Sequence, residues 1–343
     1  MSCFIIAEAG VNHNGSAERA LMLVDAAAEA GADAVKFQTF RAEQLVVRGA
    51  PKAEYQSRNS GAGDQYSMLK ALELPDEAYP LLVERCRARH IEFMSTPFDI
   101  ESARMLCGLG MRRIKVPSGE ITNLPFLEGV GALGLPIILS TGMSALQEVN
   151  EAVDSIARGR GISGHRMDEE ALILLHCTSN YPAAPEEANL RAMLTLRETF
   201  GVPAGYSDHT QVLSIPVAAA ALGAAVIEKH FTLDRSLPGP DHQASLDPAA
   251  FARMVKMIRE VEVGLGAGAK EPVASELPIR DLVRRSVTLT RARRAGETLL
   301  ATDLALLRPG HGIAPRDLGA VIGRKAARDL DAGTTLTWND LVP

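Results

Sequence analysis

Residues 205–210 read GYSDHT and residues 227–232 read IEKHFT. Each stretch ends a short apolar run on a histidine, His209 and His230, and a helix-like Ala/Leu segment at 215–222 separates them. If both runs are parallel strands, the strand–helix–strand unit carries both imidazoles to the same rim of one sheet. A lone histidine at a strand end is ordinarily a buried, hydrogen-bonded residue. A pair on one rim, flanked by Ser207, Asp208, Glu228 and Lys229, is a usable geometry for a divalent metal, since neutral imidazole is the commonest protein metal ligand.

The same alternation extends from the N-terminus to about residue 265. Strands are expected at 4–8, 34–38, 92–95, 113–116, 137–140, 172–176, 202–207 and 226–230. Helices are expected at 17–30, 76–89, 100–109, 145–157, 188–200, 215–222 and 247–265, the last opened by Asp247-Pro248 as N-cap and first turn. Eight strands, each followed by a helix, over ~250 residues describe an α/β protein of the (β/α)8 TIM-barrel type. A doubly wound sheet would ordinarily show G-x-G-x-x-G after its first strand, and residues 8–15 read EAGVNHNG instead. The connection 39–74, broken by Gly49, Pro51, Gly61 and Gly63, is long enough to be a mobile wall of a binding site.

Three segments follow from composition: a barrel at 1–265, a linker at 266–283 and a compact, mostly β domain at 284–343. Residues 264–276, GLGAGAKEPVASE, have linker composition. The last segment is rich in arginine, for which a solvated basic face is the plain explanation. A net charge of −6 argues against nucleic acid or an anionic membrane as partner. No apolar run approaches the ~20 residues that span a bilayer. The start MSCFIIAEAG has no basic leader, and the four cysteines have neither metal-type spacing nor disulfide density. A cytoplasmic protein with reduced thiols is the expectation.

Polar residues at the C-terminal ends of barrel strands face the active site. Here nearly every expected strand ends in them. Glu8 is followed by Asn12 and His13; Lys36 and Gln38 share one face of VKFQ, turning Phe37 away. Next come Ser95, Thr96 and Asp99, then Lys115, Ser118 and Glu120, then Ser140 and Thr141, then His176, Thr178 and Ser179. Two lysines with several hydroxyls can cradle a phosphate and an adjacent carboxylate. Two histidines can hold a metal that polarises a carbonyl, and Glu8 can orient water or move a proton. Together they suggest carbon–carbon bond formation between a phosphorylated enol and an aldehyde.

In order along the chain, AEAGVNHNG, VKFQTF, STPFD, KVPSGEITN, LSTGM, LLHCTSNYP, GYSDHT, EKHFTLD, PGPDH and, in the tail, LRPGHGI closely resemble the bacterial sialic acid synthase family. The resemblance implies a TIM barrel joined to a small antifreeze-like (SAF) domain in a domain-swapped homodimer. It implies condensation of phosphoenolpyruvate with N-acetylmannosamine to give N-acetylneuraminate and phosphate, with Mn²⁺ or a similar ion such as Mg²⁺ or Co²⁺. Carried over, it makes His209 and His230 metal ligands. Lys36, Thr96, Lys115, Ser118, Ser140, Ser179 and Ser207 would surround phosphoenolpyruvate. Glu8 and Gln38 would lie at the reacting centre with the two lysines. Asn59, Glu120, Tyr181, Asp241 and a partner-reaching Arg308 would serve the sugar.

The alternative within this chemistry is a legionaminic acid synthase, which accepts a 2,4-diacetamido-2,4,6-trideoxymannose and shares nearly every motif. A pseudaminic acid synthase fits the first motif less well. A Schiff-base aldolase acting through Lys115 would leave the histidine pair unexplained, and a non-catalytic sugar- or ice-binding protein would leave the whole rim so.

Overall fold

A computed structural model describes residues 2–162 and 167–342. It divides into two compact units, Met1–Gly266 and Ala267–Pro343. In the first, eight parallel strands run β1 (Phe4–Gly10), β2 (Ala34–Thr39), β3 (Glu92–Pro97), β4 (Ile114–Val116), β5 (Ile137–Ser140), β6 (Leu172–Cys177), β7 (Ala204–Asp208) and β8 (Val226–His230). Their order is β3-β2-β1-β8-β7-β6-β5-β4, and β3 packs beside β4, so the sheet curls into a nearly closed barrel.

Helices α1 (Ala17–Glu29), α2 (Ala42–Leu45), α3 (Glu54–Ser60), α4 (Gln65–Leu72), α5 (Ala78–Ala88), α6 (Ile100–Gly108), α7 (Leu124–Ala132), α8 (Leu146–Gly159), α9 (Arg191–Phe200), α10 (Ser214–Ala221) and α11 (Pro248–Leu265) complete the unit. Several of their starts follow capping chemistry. Ser16, Asp99 and Asp247 accept from the amides of Arg19, Ser102 and Ala250, satisfying donors the first turn leaves free. Their inward faces follow helical spacing, as with Ala20, Leu23, Val24 and Ala27 in α1. Each buried Leu, Ile or Val contributes about 1.5–3 kcal/mol.

The barrel interior is read most simply by steps of two. Ile6, Ala34, Met94, Ile138, Leu175 and Val226 form one dry layer, packed together away from the helices. Two residues further along each strand stand Glu8, Lys36, Thr96, Ser140, Cys177 and Glu228. The pleat period of two keeps both rungs on the inner face, so the change from apolar to polar marks where the packed floor ends and the site begins. The alternate set, including Ile5, Val35, Ile114, Leu139 and Ile227, faces outward and packs against the helices.

The connection after β2 differs from the irregular loop expected. It contains α2, α3 and α4, with Met68 and Leu72 buried against Val11 and Phe40. Its glycines and proline separate short helices rather than preventing them, and the helices anchor themselves by an apolar face.

The second unit holds an antiparallel pair, β9 (Ser286–Leu289) and β10 (Leu304–Leu307), around a small core that includes Val287, Leu299, Ile313, Leu330 and Leu336. The segment expected as linker carries α12 (Leu277–Val283), with Pro278 in its first turn. Part of the arginine excess is structural: Arg291 and Arg293 both pair with the buried carboxylate of Asp303, and Arg328 pairs with Asp340 at 2.7 Å. Among the described residues, no helix is long and apolar enough to cross a membrane.

Candidate active site

The C-terminal ends of the strands open into a cavity of about 520 Å³. Strand register sets its floor. Glu8 lies beside Lys36 on one side and His230 on the other, Gln38 beside Thr96, and Ser207 between Cys177 and Glu228. Lys36 Nζ lies 2.5 Å from Glu8 Oε2 and donates to Thr96 Oγ1 at 2.9 Å. Lys115 Nζ donates to Ser140 Oγ at 2.8 Å. Glu228 stands between the two lysines, 3.7 Å from Lys36 and 3.5 Å from Lys115, and accepts from Ser207 Oγ at 3.0 Å. Gln38 Nε2 donates to Glu8 Oε1 at 3.0 Å.

All four charged groups are buried, and their neighbours decide their protonation. Burial would raise the Glu228 carboxyl, but Lys115 and Lys36 hold it down at about 2. Burial would lower Lys36, yet Glu228 and Glu8 carry it above the usual ammonium range. Burial dominates at the other two: it lowers Lys115, with Glu228 opposing, and raises Glu8, with Lys36 opposing. Fully charged, two ammoniums against two carboxylates make a neutral floor. A neutral Glu8 leaves that floor positive, which suits an anion.

Above the floor, the next step of two places Gln38, Phe98, Gly142, Ser179 and His230. Gly142 is required by close approach, because a Cβ there would sit 2.4 Å from Ser179 Oγ and 2.8 Å from both Ser118 Oγ and Cys177 Sγ. Its amide donates to Ser118 Oγ at 3.0 Å. The rings of His209 and His230 lie 5.4 Å apart, and Tyr181 packs on both, at 4.2 and 5.5 Å. His209 Nδ1 lies 2.6 Å from the Thr178 carbonyl oxygen, which only accepts, so the imidazole proton sits there and Nε2 keeps a lone pair. His230 Nδ1 is buried without a hydrogen-bond partner, 3.8 Å from Asp241 Oδ2. Burial lowers both imidazoles, and pushes Asp241 up to about 7 with help from Glu8. Neutral imidazoles with an orphaned nitrogen fit a divalent cation. Among the described residues no three His, Cys, Asp or Glu side chains group closely enough to cage an ion.

Of the residues singled out from sequence, Glu8, Lys36, Gln38, Thr96, Lys115, Ser118, Ser140, Ser179, Tyr181, Ser207, His209, His230 and Asp241 all line this cavity. Others lie elsewhere. Asn59 donates to the Pro240 carbonyl at 2.9 Å, tethering α3 to the segment before Asp241 instead of lining the cavity. Glu120, at the end of a short 3-10 turn, sits outside the lining and accepts from Asn123 at 2.7 Å. Arg308 is exposed in the second unit, just after β10. His176 faces outward, its ring nitrogen 3.0 Å from the Ala188 carbonyl, and Thr178 donates to the Glu187 carbonyl. Glu228 and Tyr55 are among the lining residues not assigned from sequence. Glu228 carries a plain signal, since it shares a face with His230 two residues on. Tyr55, stacked on Tyr181 at 5.2 Å, carries none, because it sits in the aperiodic connection.

Comparison with known proteins shows the family. The NeuB family matches residues 23–270 and the SAF domain matches residues 284–342. The chain is 52% identical to the N,N'-diacetyllegionaminic acid synthase of Legionella pneumophila, over 99% of this chain and 95% of that one. It is 41% identical to the enzyme of the same name from Campylobacter jejuni, over 95% and 96% of the two chains. A crystal structure of an N-acetylneuraminic acid synthetase from Leptospira borgpetersenii superposes with a TM-score of 0.70 at 36% identity, covering 81% of this chain and 90% of that one. Matched over most of its barrel and over residues 284–342, this protein is an enzyme of the NeuB family that carries a SAF domain.

Proposed function

We propose that this enzyme condenses phosphoenolpyruvate with 2,4-diacetamido-2,4,6-trideoxymannose, giving N,N'-diacetyllegionaminic acid and phosphate. The observation that carries the reaction class is the convergence of two lysines and two histidines on one cavity. The acceptor rests on identity. The sequence reading put N-acetylmannosamine first, but 52% identity to a legionaminic acid synthase against 36% to a sialic acid synthetase favours the alternative.

Lys36 and Lys115, with Thr96, Ser118, Ser140, Ser179 and Ser207, hold the phosphate and carboxylate of phosphoenolpyruvate. Gln38, Tyr181 and Asp241 orient the open-chain sugar so that its aldehyde carbon meets carbon 3 of phosphoenolpyruvate. As that bond forms, Glu8, held protonated by burial, gives its proton to the aldehyde oxygen, which becomes a hydroxyl, and the positive charge building at carbon 2 is eased by the adjacent carboxylate and by the Glu8 carboxylate so released. Water adds at carbon 2. Glu8, its carboxyl raised by burial, takes the proton. The carbon–oxygen bond to phosphate then breaks, and the two ammoniums balance the leaving group. His209 and His230 would hold a divalent ion, Mn²⁺ ahead of Mg²⁺ or Co²⁺, and such an ion supplies Lewis-acid polarisation of a carbonyl oxygen.

The same proposal includes a domain-swapped homodimer in which Arg308 serves the partner's sugar site, and a cytoplasmic setting suited to four free cysteines. Phosphate release is measured against a panel of acetamido sugars, with Mn²⁺ and with chelator. The diacetamido trideoxy sugar should exceed N-acetylmannosamine at least tenfold in kcat/KM, and chelation should abolish turnover. The reverse preference overturns the acceptor, and no release with any sugar overturns the reaction class.

A further inference from the structure

Behind the two histidines, on the side of the strands away from the cavity, lies a second ionic couple. Asp208 and Lys229 are direct partners in the β7–β8 register, and both side chains are 0% exposed. Lys229 Nζ lies 2.5 Å from Asp208 Oδ2 and also donates to the Thr210 carbonyl. Asp208 in turn accepts from the Thr210 amide at 2.9 Å and its hydroxyl at 3.2 Å. Neither residue lines the cavity. Each is the immediate neighbour of a histidine: His209 is bracketed by Asp208 and Thr210, and His230 follows Lys229.

A buried ion pair seldom stabilises a fold more than an apolar pair of the same volume, so its stability alone does not account for it. What a charged, multiply hydrogen-bonded couple supplies is one allowed geometry. An apolar couple at the same two positions would leave the separation of β7 and β8 to the backbone ladder and non-directional packing alone. Metal ligands tolerate little such slack.

We infer that Asp208 and Lys229 are positioning residues, a cross-strand clamp that fixes the separation of His209 and His230 for metal binding. The inference rests on the reading of those histidines as a metal couple.

The test is Mn²⁺ affinity, measured by electron paramagnetic resonance titration of the full-length protein alongside thermal unfolding. In D208N/K229M, asparagine can still accept from Thr210 and methionine fills the lysine stem, but the cross-strand link is gone. Mn²⁺ should bind at least tenfold more weakly while the folded baseline and cooperative unfolding persist. Binding within threefold of wild type overturns the clamp. Should that variant not fold, K229Q carries the test: at least a threefold loss supports the clamp, and unchanged affinity overturns it. H209N/H230N separates the two readings. If it loses Mn²⁺ while D208N/K229M keeps it, only the clamp fails; if it binds as wild type does, the histidine couple fails as well.

Discussion

Strand β8 contributes adjacent residues, Glu228 and Lys229, to two buried carboxylate–ammonium systems that face opposite ways. On the inner face, Glu228 is shared between Lys36 and Lys115 at 3.7 and 3.5 Å, with the cavity above it. On the outer face, Asp208 holds Lys229 at 2.5 Å in a sealed layer. The residue types are nearly the same, and the parity of their positions separates them. Lys115, with no carboxylate nearer than Glu228 at 3.5 Å and the cavity beside it, can turn to an incoming anion; Lys229, in direct contact with Asp208 and away from the cavity, is beyond an anion's reach. The inner system is built to be interrupted and the outer one to stay closed.

Replacing one lysine from each system is the strongest way to break this contrast. K115M should lower kcat/KM for phosphoenolpyruvate by about 10²–10³-fold, the usual loss for a charge stabiliser in a dry site, with little change in urea midpoint. K229M should cost about 3–5 kcal/mol of unfolding free energy, because it leaves Asp208 buried and unpaired. Equal stability losses from the two variants would erase the distinction. A smaller effect is expected at the level above. G142A pushes a methyl into Ser118, Cys177 and Ser179, and overpacking of about 1–3 kcal/mol should raise the KM for phosphoenolpyruvate roughly tenfold. The smallest concerns the wall formed by α3. Y55A removes a ring stacked on Tyr181, an interaction worth about 0.5–1.5 kcal/mol, so the acceptor KM should rise severalfold with that for phosphoenolpyruvate unchanged. Y55F should behave as wild type.

The barrel was legible because its signal is repeated and local: short, largely apolar runs alternate with helical segments, several of them opened by a capping residue, and the boundaries differ from expectation by only a few residues. The site was legible where alternation was applied. Lys36 and Gln38 were assigned to one face in that way, and the same step of two from His230 reaches Glu228, the carboxylate at the centre of the floor. Where strand ends were read without parity, outward residues entered the candidate set; His176, for instance, turns toward the carbonyl before α9. The connection 39–74 was least legible. Its helices are too short to show a period, and their burial against Val11, Phe40 and Phe98 is a tertiary fact. Asn59, expected from sequence as a sugar contact, donates to the Pro240 carbonyl next to the lining residue Asp241.

The most direct measurement follows phosphoenolpyruvate labelled with ¹⁸O at the bridging oxygen through a single turnover. A cavity whose inner lysines take a leaving phosphate, while water adds at carbon 2, delivers the label into inorganic phosphate. Label retained in the sugar acid would mean phosphorus–oxygen cleavage and would contradict the role assigned to the inward-facing floor.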